Sequence, residues 1–125
     1  MREFKPIIWV SSTKADLKSL PSLVCDQFGH ALFQAQKGEK SKKAKPLKGF
    51  GSAAVLEVIE NDVGGTYRAV YTIKFKEAIV VLHIFQKKSK QGIKTSKQDI
   101  DLIKNRFRLA EQKYKECFFK GEIHE

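Results

Sequence analysis

Residues 78–90, AIVVLHIFQKKSK, form an almost unbroken apolar strand that carries one histidine and runs directly into a cluster of cations. By the period-two alternation of a β-strand, Ile79, Val81, His83 and Phe85 are expected on one face and Val80, Leu82 and Ile84 on the other. Both faces are apolar, so the stretch reads as a central strand covered on both sides for much of its length. Buried strands normally end in turn residues. This one ends in Gln86, Lys87, Lys88 and Lys90. A titratable imidazole and several positive charges are therefore expected at one edge of a sheet.

Working outward, residues 53–59 and 66–75 read as two further strands, rich in β-branched and aromatic side chains. Asn61-Asp62 with Gly64-Gly65 supplies the first turn, and Lys76-Glu77 a tight second one. Connections this short imply an antiparallel three-stranded meander. Downstream, Gln91-Gly92 ends the strand pattern, and Ser96 with Asp99 three residues later forms a capping box for a final helix. The stripe Ile100, Ile103, Phe107, Ala110 and Tyr114 alternates by three and four, so this C-terminal helix packs on the sheet.

Upstream, residues 4–10 read as a short N-terminal strand, with Pro6 acceptable only at an edge or a strand start. Ser11-Ser12-Thr13 offers hydroxyl caps to a short helix, and Asp16 suits its first turn. Pro21 interrupts that helix and begins a second. There Leu20, Leu23, Val24, Phe28, Ala31, Leu32 and Ala35 fall on one face, with Gly38 as the C-cap, completing a helical hairpin. Residues 37–51, KGEKSKKAKPLKGFG, make a basic loop, with Pro46, Gly49 and Gly51 blocking regular structure. The tail, 117–125, either frays or adds a small strand. With no internal repeat and no linker, residues 1–125 read as a single α+β domain in the order β, αα, βββ, α.

A chain of 125 residues with 42% hydrophobic residues can bury a proper core without staples. Its net charge of +10 argues for an anionic partner: nucleic acid, an acidic protein or a membrane surface. The membrane is the weakest of these, because the longest apolar run is far too short to span a bilayer. The first residues, MREFKPIIWVSS, lack the apolar core and cleavage site of a signal peptide. Cys25 and Cys117 are isolated, with no CxxC pair, and read as reduced packing residues. A cytoplasmic protein is expected.

His83 has two readings. One is a core histidine donating a hydrogen bond. The other is a general acid or base at a cleft wall, kept neutral by neighbouring cations. Arg68 shares its strand face with apolar or small side chains and so needs an anion. A salt bridge to Glu57 or Glu60 and a bound phosphate are the alternatives. The lysines of the 40–48 loop and of 87–90 are the other positive elements near this sheet. Metal-independent RNA cleavage needs a base for the ribose 2′-hydroxyl, an acid for the leaving oxygen and cations on the phosphorane, and His83, Arg68 and the lysines offer these. No carboxylate cluster has metal-ligand spacing, no Gly-rich phosphate loop precedes a helix, and no cofactor is implied. His30, on the hairpin, and His124, in the tail, complete no Ser/His/Asp set. Composition and spacing stop at a basic α+β nucleic-acid-binding domain.

Three motifs in order go further: KPLKGFG at 45–51, TYRAVY at 66–71 and HIFQKK at 83–88, followed by the IDLI helix at 100–103. The series resembles the phage-derived HigB-like branch of the RelE/ParE toxin superfamily, over residues from about 20 to 110. The resemblance implies a RelE-like fold and the toxin of a type II toxin–antitoxin pair. Such a toxin is a ribosome-dependent endoribonuclease cleaving mRNA, restrained by a helix-turn-helix, HigA-like antitoxin. It implies His83 as the proton-transfer group, Arg68 neutralising phosphate, and Lys48 either neutralising phosphate or orienting the 2′-hydroxyl. Gln86, Lys87 and Lys88 follow as RNA contacts, with Lys43, Lys45 and Lys90 as further phosphate contacts. Tyr114 is not in a matching motif and carries no such role. The ParE branch shares the fold but acts on DNA gyrase, so a non-catalytic basic interaction protein is the alternative.

Overall fold

The chain runs β1 (Ile7–Trp9), α1 (Thr13–Lys18), α2 (Ser22–Gln36), β2 (Lys45–Pro46), β3 (Val55–Asp62), β4 (Gly65–Thr72), β5 (Ile79–Lys87) and α3 (Lys97–Tyr114). These elements are seen in a computed structural model that describes residues 4–51, 54–87 and 95–116. The expected α+β architecture is present: a five-stranded sheet, a helical pair near the N-terminus and a long helix after the last strand. The sheet order is β1-β5-β4-β3-β2, so β3, β4 and β5 are the antiparallel meander and β5 is an interior strand between β1 and β4. The expected positions Lys88, Lys90, Gln91, Gly92 and Cys117, together with the tail from 117 to 125, lie outside the described residues.

The two edges are short. β1 pairs parallel to β5, and Pro6 precedes it, its carbonyl accepting from the Ile79 N–H at 2.9 Å. A proline is harmless there because it lies just outside the paired residues. At the other edge the basic loop contributes an unexpected two-residue strand, Lys45–Pro46, paired with β3. Pro46 lacks an N–H to donate, which an edge strand tolerates and an interior one would not.

Each sheet face carries its own apolar layer. On one face Val24, Phe28, Ala31, Leu32 and Ala35 of α2 pack on Leu56, Val58, Tyr67, Ala69, Tyr71, Ile79, Val81 and Ile84. On the other, Ile103, Ala110 and Tyr114 of α3 pack on Val55, Val70, Val80 and Leu82. The α2 stripe follows the expected 3,4 spacing except at Leu23, which is 62% exposed. Leu23 precedes Val24, so it points roughly 100° away from it and off the buried stripe. α2 ends in the expected glycine motif: Gly38 at φ +84°, with its N–H bonded to the Ala35 carbonyl and the Glu39 N–H to that of Gln34. No described helix is long and apolar enough to cross a membrane.

The main correction concerns β5. Val70 pairs with His83, but the next residue, Tyr71, pairs with Val81, so Leu82 is the extra residue of a β-bulge. Ile79 and Val81 share a face as expected, the one packed against α2, but the alternation then slips. His83 and Phe85 join Val80 and Leu82 on the α3 face, and Ile84 turns to α2. His83 and Phe85 therefore do not share a face with Ile79 and Val81.

Candidate active site

Directly opposed residues of paired strands share a sheet face, so registers trace rows across the sheet. One row on the α3 face runs Lys45, Glu57, Val70, His83, and the next runs Ile59, Arg68, Phe85. Lys87, opposite Thr66, lies two residues beyond Phe85 on the same face. The start of α3 lies over these rows. Ser96 is its N-cap, its Oγ accepting from the Asp99 N–H at 3.1 Å, as the capping box requires. From that first turn Asp99 reaches the sheet, and Ile103 and Arg106, at four and seven residues on, follow it along one side of the helix.

His83 is 8% exposed and held on both sides. Its Nε2 lies 3.0 Å from Asp99 Oδ1, and its Nδ1 lies 3.4 Å from Arg106 Nη1, which also donates to the Leu82 carbonyl at 3.0 Å. The ring stacks on Phe85, with centroids 4.1 Å apart and planes 15° from parallel. Burial lowers the pKa of His83 below the ordinary 6.5; the Asp99 hydrogen bond opposes the shift, and Arg106 adds to it. The ring is therefore neutral at pH 7.

A lowered pKa in the folded state makes stability depend on pH. Below the unfolded value of 6.5 the unfolded chain binds the proton more readily than the folded one. The contribution is thus fully present above that pH and is lost as pH falls through it toward the lowered folded value. Urea unfolding from about pH 7.5 down to about pH 5.5 should cost the wild-type protein more stability than His83→Gln, which has no ring to titrate. Parallel pH slopes for the two proteins would contradict this.

Arg68 is buried at 2% exposure. Its Nη1 donates to Glu57 Oε2 at 2.8 Å and to Thr95 Oγ1 at 2.9 Å, and Thr95 Oγ1 donates to the same carboxylate oxygen at 2.6 Å. Of the two alternatives for Arg68, the structure shows the ion pair with Glu57. Among the described residues Arg68 is buried beneath the segment that starts α3, held by Glu57 and Thr95.

The remaining expected residues divide between the faces. Lys45 and Lys87 share the His83 face, and Lys48 is exposed in the loop whose Leu47 and Phe50 pack into the α3 layer. Two expected contacts lie elsewhere. Lys43 pairs with Glu60 at 2.7 Å, in a cleft bordered by Gln27, His30 and Gln34 of α2. Gln86, turned by the bulge with Ile84, donates to the Gly64 carbonyl at 2.8 Å and borders the α1–α2 turn. Burial pushes Tyr71, on that same face, up to about 12, far from acid–base work near neutrality. Among the described residues no three His, Cys, Asp or Glu side chains cluster so as to hold a metal.

Sequence reasoning missed Asp99 as a partner of His83, and missed Thr95 and Arg106 altogether. The available signal was the spacing of Asp99, Ile103 and Arg106, which places two charged groups in line with a buried isoleucine.

Comparison with known proteins fits this architecture. The family model described as "Phage derived protein Gp49-like (DUF891)" matches residues 15–108, which include most of α1, all of α2, the whole meander and most of α3. The chain belongs to the phage-derived Gp49-like family. The Gp49-like chain is also similar to an arginine-substituted mutant of the Escherichia coli toxin RelE in the free state. The two are 17% identical with a TM-score of 0.50, over 70% of this chain and 88% of that one. A Mycobacterium tuberculosis RelBE2 toxin–antitoxin complex chain matches at 20% identity and a TM-score of 0.47, over 71% of this chain and 98% of that one. No curated protein sequence matches. At these identities the likeness is one of fold, and the Gp49-like chain has a RelE-like fold.

Proposed function

We propose that this protein is a HigB-like toxin of a type II toxin–antitoxin pair, a ribosome-dependent endoribonuclease that cleaves mRNA by 2′-hydroxyl attack. The observation that carries the reading is the His83 cluster: a neutral imidazole between a carboxylate and a guanidinium, on the sheet face that also bears Lys45 and Lys87. Membership of the Gp49-like family, a fold similar to one named as the toxin RelE, and a net charge of +10 support it. In this reading His83 takes the proton of a ribose 2′-hydroxyl while the 2′-oxygen bonds to the adjacent phosphorus. The P–O5′ bond breaks, the 5′-oxygen takes a proton from water, and the products are a 2′,3′-cyclic phosphate and a 5′-hydroxyl. Lys45, Lys48 and Lys87 neutralise phosphates along the RNA, with Lys88 and Lys90 in the same role. A helix-turn-helix, HigA-like antitoxin restrains the enzyme, and the ribosome presents the mRNA in the cytoplasm.

Mapping RNA ends after induction in growing cells tests the reading. Growth arrest with new 5′-hydroxyl ends inside translated frames is the expected result. Intact mRNA under inhibited translation would sink it. One observation favours a second reading: both His83 nitrogens are engaged in a nearly closed setting. A non-catalytic basic interaction protein, such as a ParE-like gyrase inhibitor, would arrest growth without cutting RNA, and would do so equally well as His83→Ala.

A further inference from the structure

We propose that Asp99 is a positioning residue that fixes the tautomer of His83, leaving Nδ1 as its basic atom, and that Arg106 covers that atom until a phosphate of the RNA draws it away. The proposal rests on the reading of His83 as the proton acceptor in RNA cleavage.

A carboxylate only accepts hydrogen bonds, so the ring nitrogen 3.0 Å from Asp99 Oδ1 must carry the hydrogen. A guanidinium only donates, so the nitrogen facing Arg106 Nη1 must present its lone pair. The two constraints agree on one species, protonated at Nε2 and basic at Nδ1. Asp99 is itself fixed: its Oδ2 accepts from Ser96 Oγ at 2.8 Å, and its N–H donates to the same hydroxyl. Stacking on Phe85 constrains the plane of the ring. Among the described residues, Asp99 and Arg106 from α3 and the more distant Asp16 from α1 are the charged groups acting on His83, while Arg68 and Glu57 on the sheet are engaged with each other.

The two sides of the ring are not equally tied. The Asp99 contact is a short one to a side chain pinned by the helix cap. The Arg106 contact is long, at 3.4 Å, and comes from a half-buried side chain whose other bond is to a neutral carbonyl. A phosphate oxygen offers Arg106 a charge-assisted bond roughly twice as strong as a neutral one. RNA that engages Arg106 would therefore uncover Nδ1 where the 2′-hydroxyl proton must go. The imidazolium formed by that transfer keeps its Nε2–H on Asp99 and later returns the Nδ1 proton to solvent.

The test reads the ring nitrogens directly, in 15N-labelled full-length protein without RNA, with His83→Gln identifying the His83 signals. At about pH 8, where imidazole is neutral, the wild type should show protonated Nε2 and lone-pair Nδ1. Asp99→Ala should mix the tautomers. Asp99→Asn, which can still accept from Nε2 but has lost the charge, should keep the tautomer and titrate at lower pH. A proton on Nδ1 in the wild type, or wild-type midpoints in both Asp99 variants, would overturn the assignment. Adding a 2′-deoxy oligonucleotide, which cannot be cleaved, should move the Nδ1 resonance in the wild type and leave it unmoved in Arg106→Gln; an unmoved wild-type resonance would overturn the cover. In cleavage assays Asp99→Ala should lower kcat by about tenfold or more with little change in KM, as loss of an orienting partner does. Tautomer results as expected with no RNA cleavage would remove the proposed function and leave the positioning intact.

Discussion

Arg68→Ala is expected to destabilise the protein by roughly 3–5 kcal/mol, the cost of stranding one partner of a buried ion pair. Glu57 keeps only 11% side-chain exposure, and without the guanidinium its carboxylate would retain the Thr95 hydroxyl as its remaining partner in this cluster. The damage should extend to α3, because Thr95 immediately precedes the N-cap Ser96 and is the link from the ion pair to that helix. Urea unfolding at neutral pH measures the loss. Arg68→Met combined with Glu57→Gln removes both charges together and should recover much of it, as replacing a whole buried pair often does. A wild-type midpoint for Arg68→Ala would mean that the pair is worth no more than an exposed one.

His83→Ala is expected to lower the rate of mRNA cleavage by about 10²–10⁴-fold, the range that a positioned acid–base group contributes. RNA affinity at fixed salt should change little, because the phosphate contacts assigned to Lys45, Lys48 and Lys87 remain. The ring is stacked and nearly buried, so alanine also leaves a gap beside Phe85. His83→Gln, closer in size and unable to serve as an imidazole base, separates the two effects. It should fold like the wild type and cleave as poorly as the alanine variant. Undiminished cleavage by a folded His83→Gln protein would remove His83 from the chemistry.

Much of this fold is legible in the sequence because local signals and tertiary structure agree. The Ser96–Asp99 capping box, Ile103, Phe107, Ala110 and Tyr114 of the α3 stripe and Gly38 at the end of α2 appear where residue chemistry puts them. The first meander turn, by contrast, narrows to Val63-Gly64, and the second connection widens to residues 73–78. The partner of β1 was not legible, since a parallel pairing across about 70 residues leaves no local trace. Arg68 could be given two carboxylate partners but not one. Glu57 and Glu60 lie on opposite faces of β3, and the choice depends on a register that sequence alone does not state. The faces of β5 were misread for a related reason. Where both sides of a strand are apolar, hydrophobicity cannot report a slipped residue. Asp99 was legible only in its capping role, because nothing local shows that its carboxylate also reaches His83.

The extra residue at Leu82 makes β5 two alternating patterns joined out of phase. The first half is locked to the core by Ile79 and Val81, and the second carries His83 and Phe85. Which layer receives the imidazole is thus decided by where the phase break falls, independently of any side chain in the cluster. Unbroken alternation from Ile79 and Val81, with every residue kept, would carry the histidine to the α2 side of the sheet, whereas deleting Leu82 outright would restore a regular strand with the histidine still opposite Val70. The bulge between Val81 and His83 is accordingly as much a part of the site as the histidine itself.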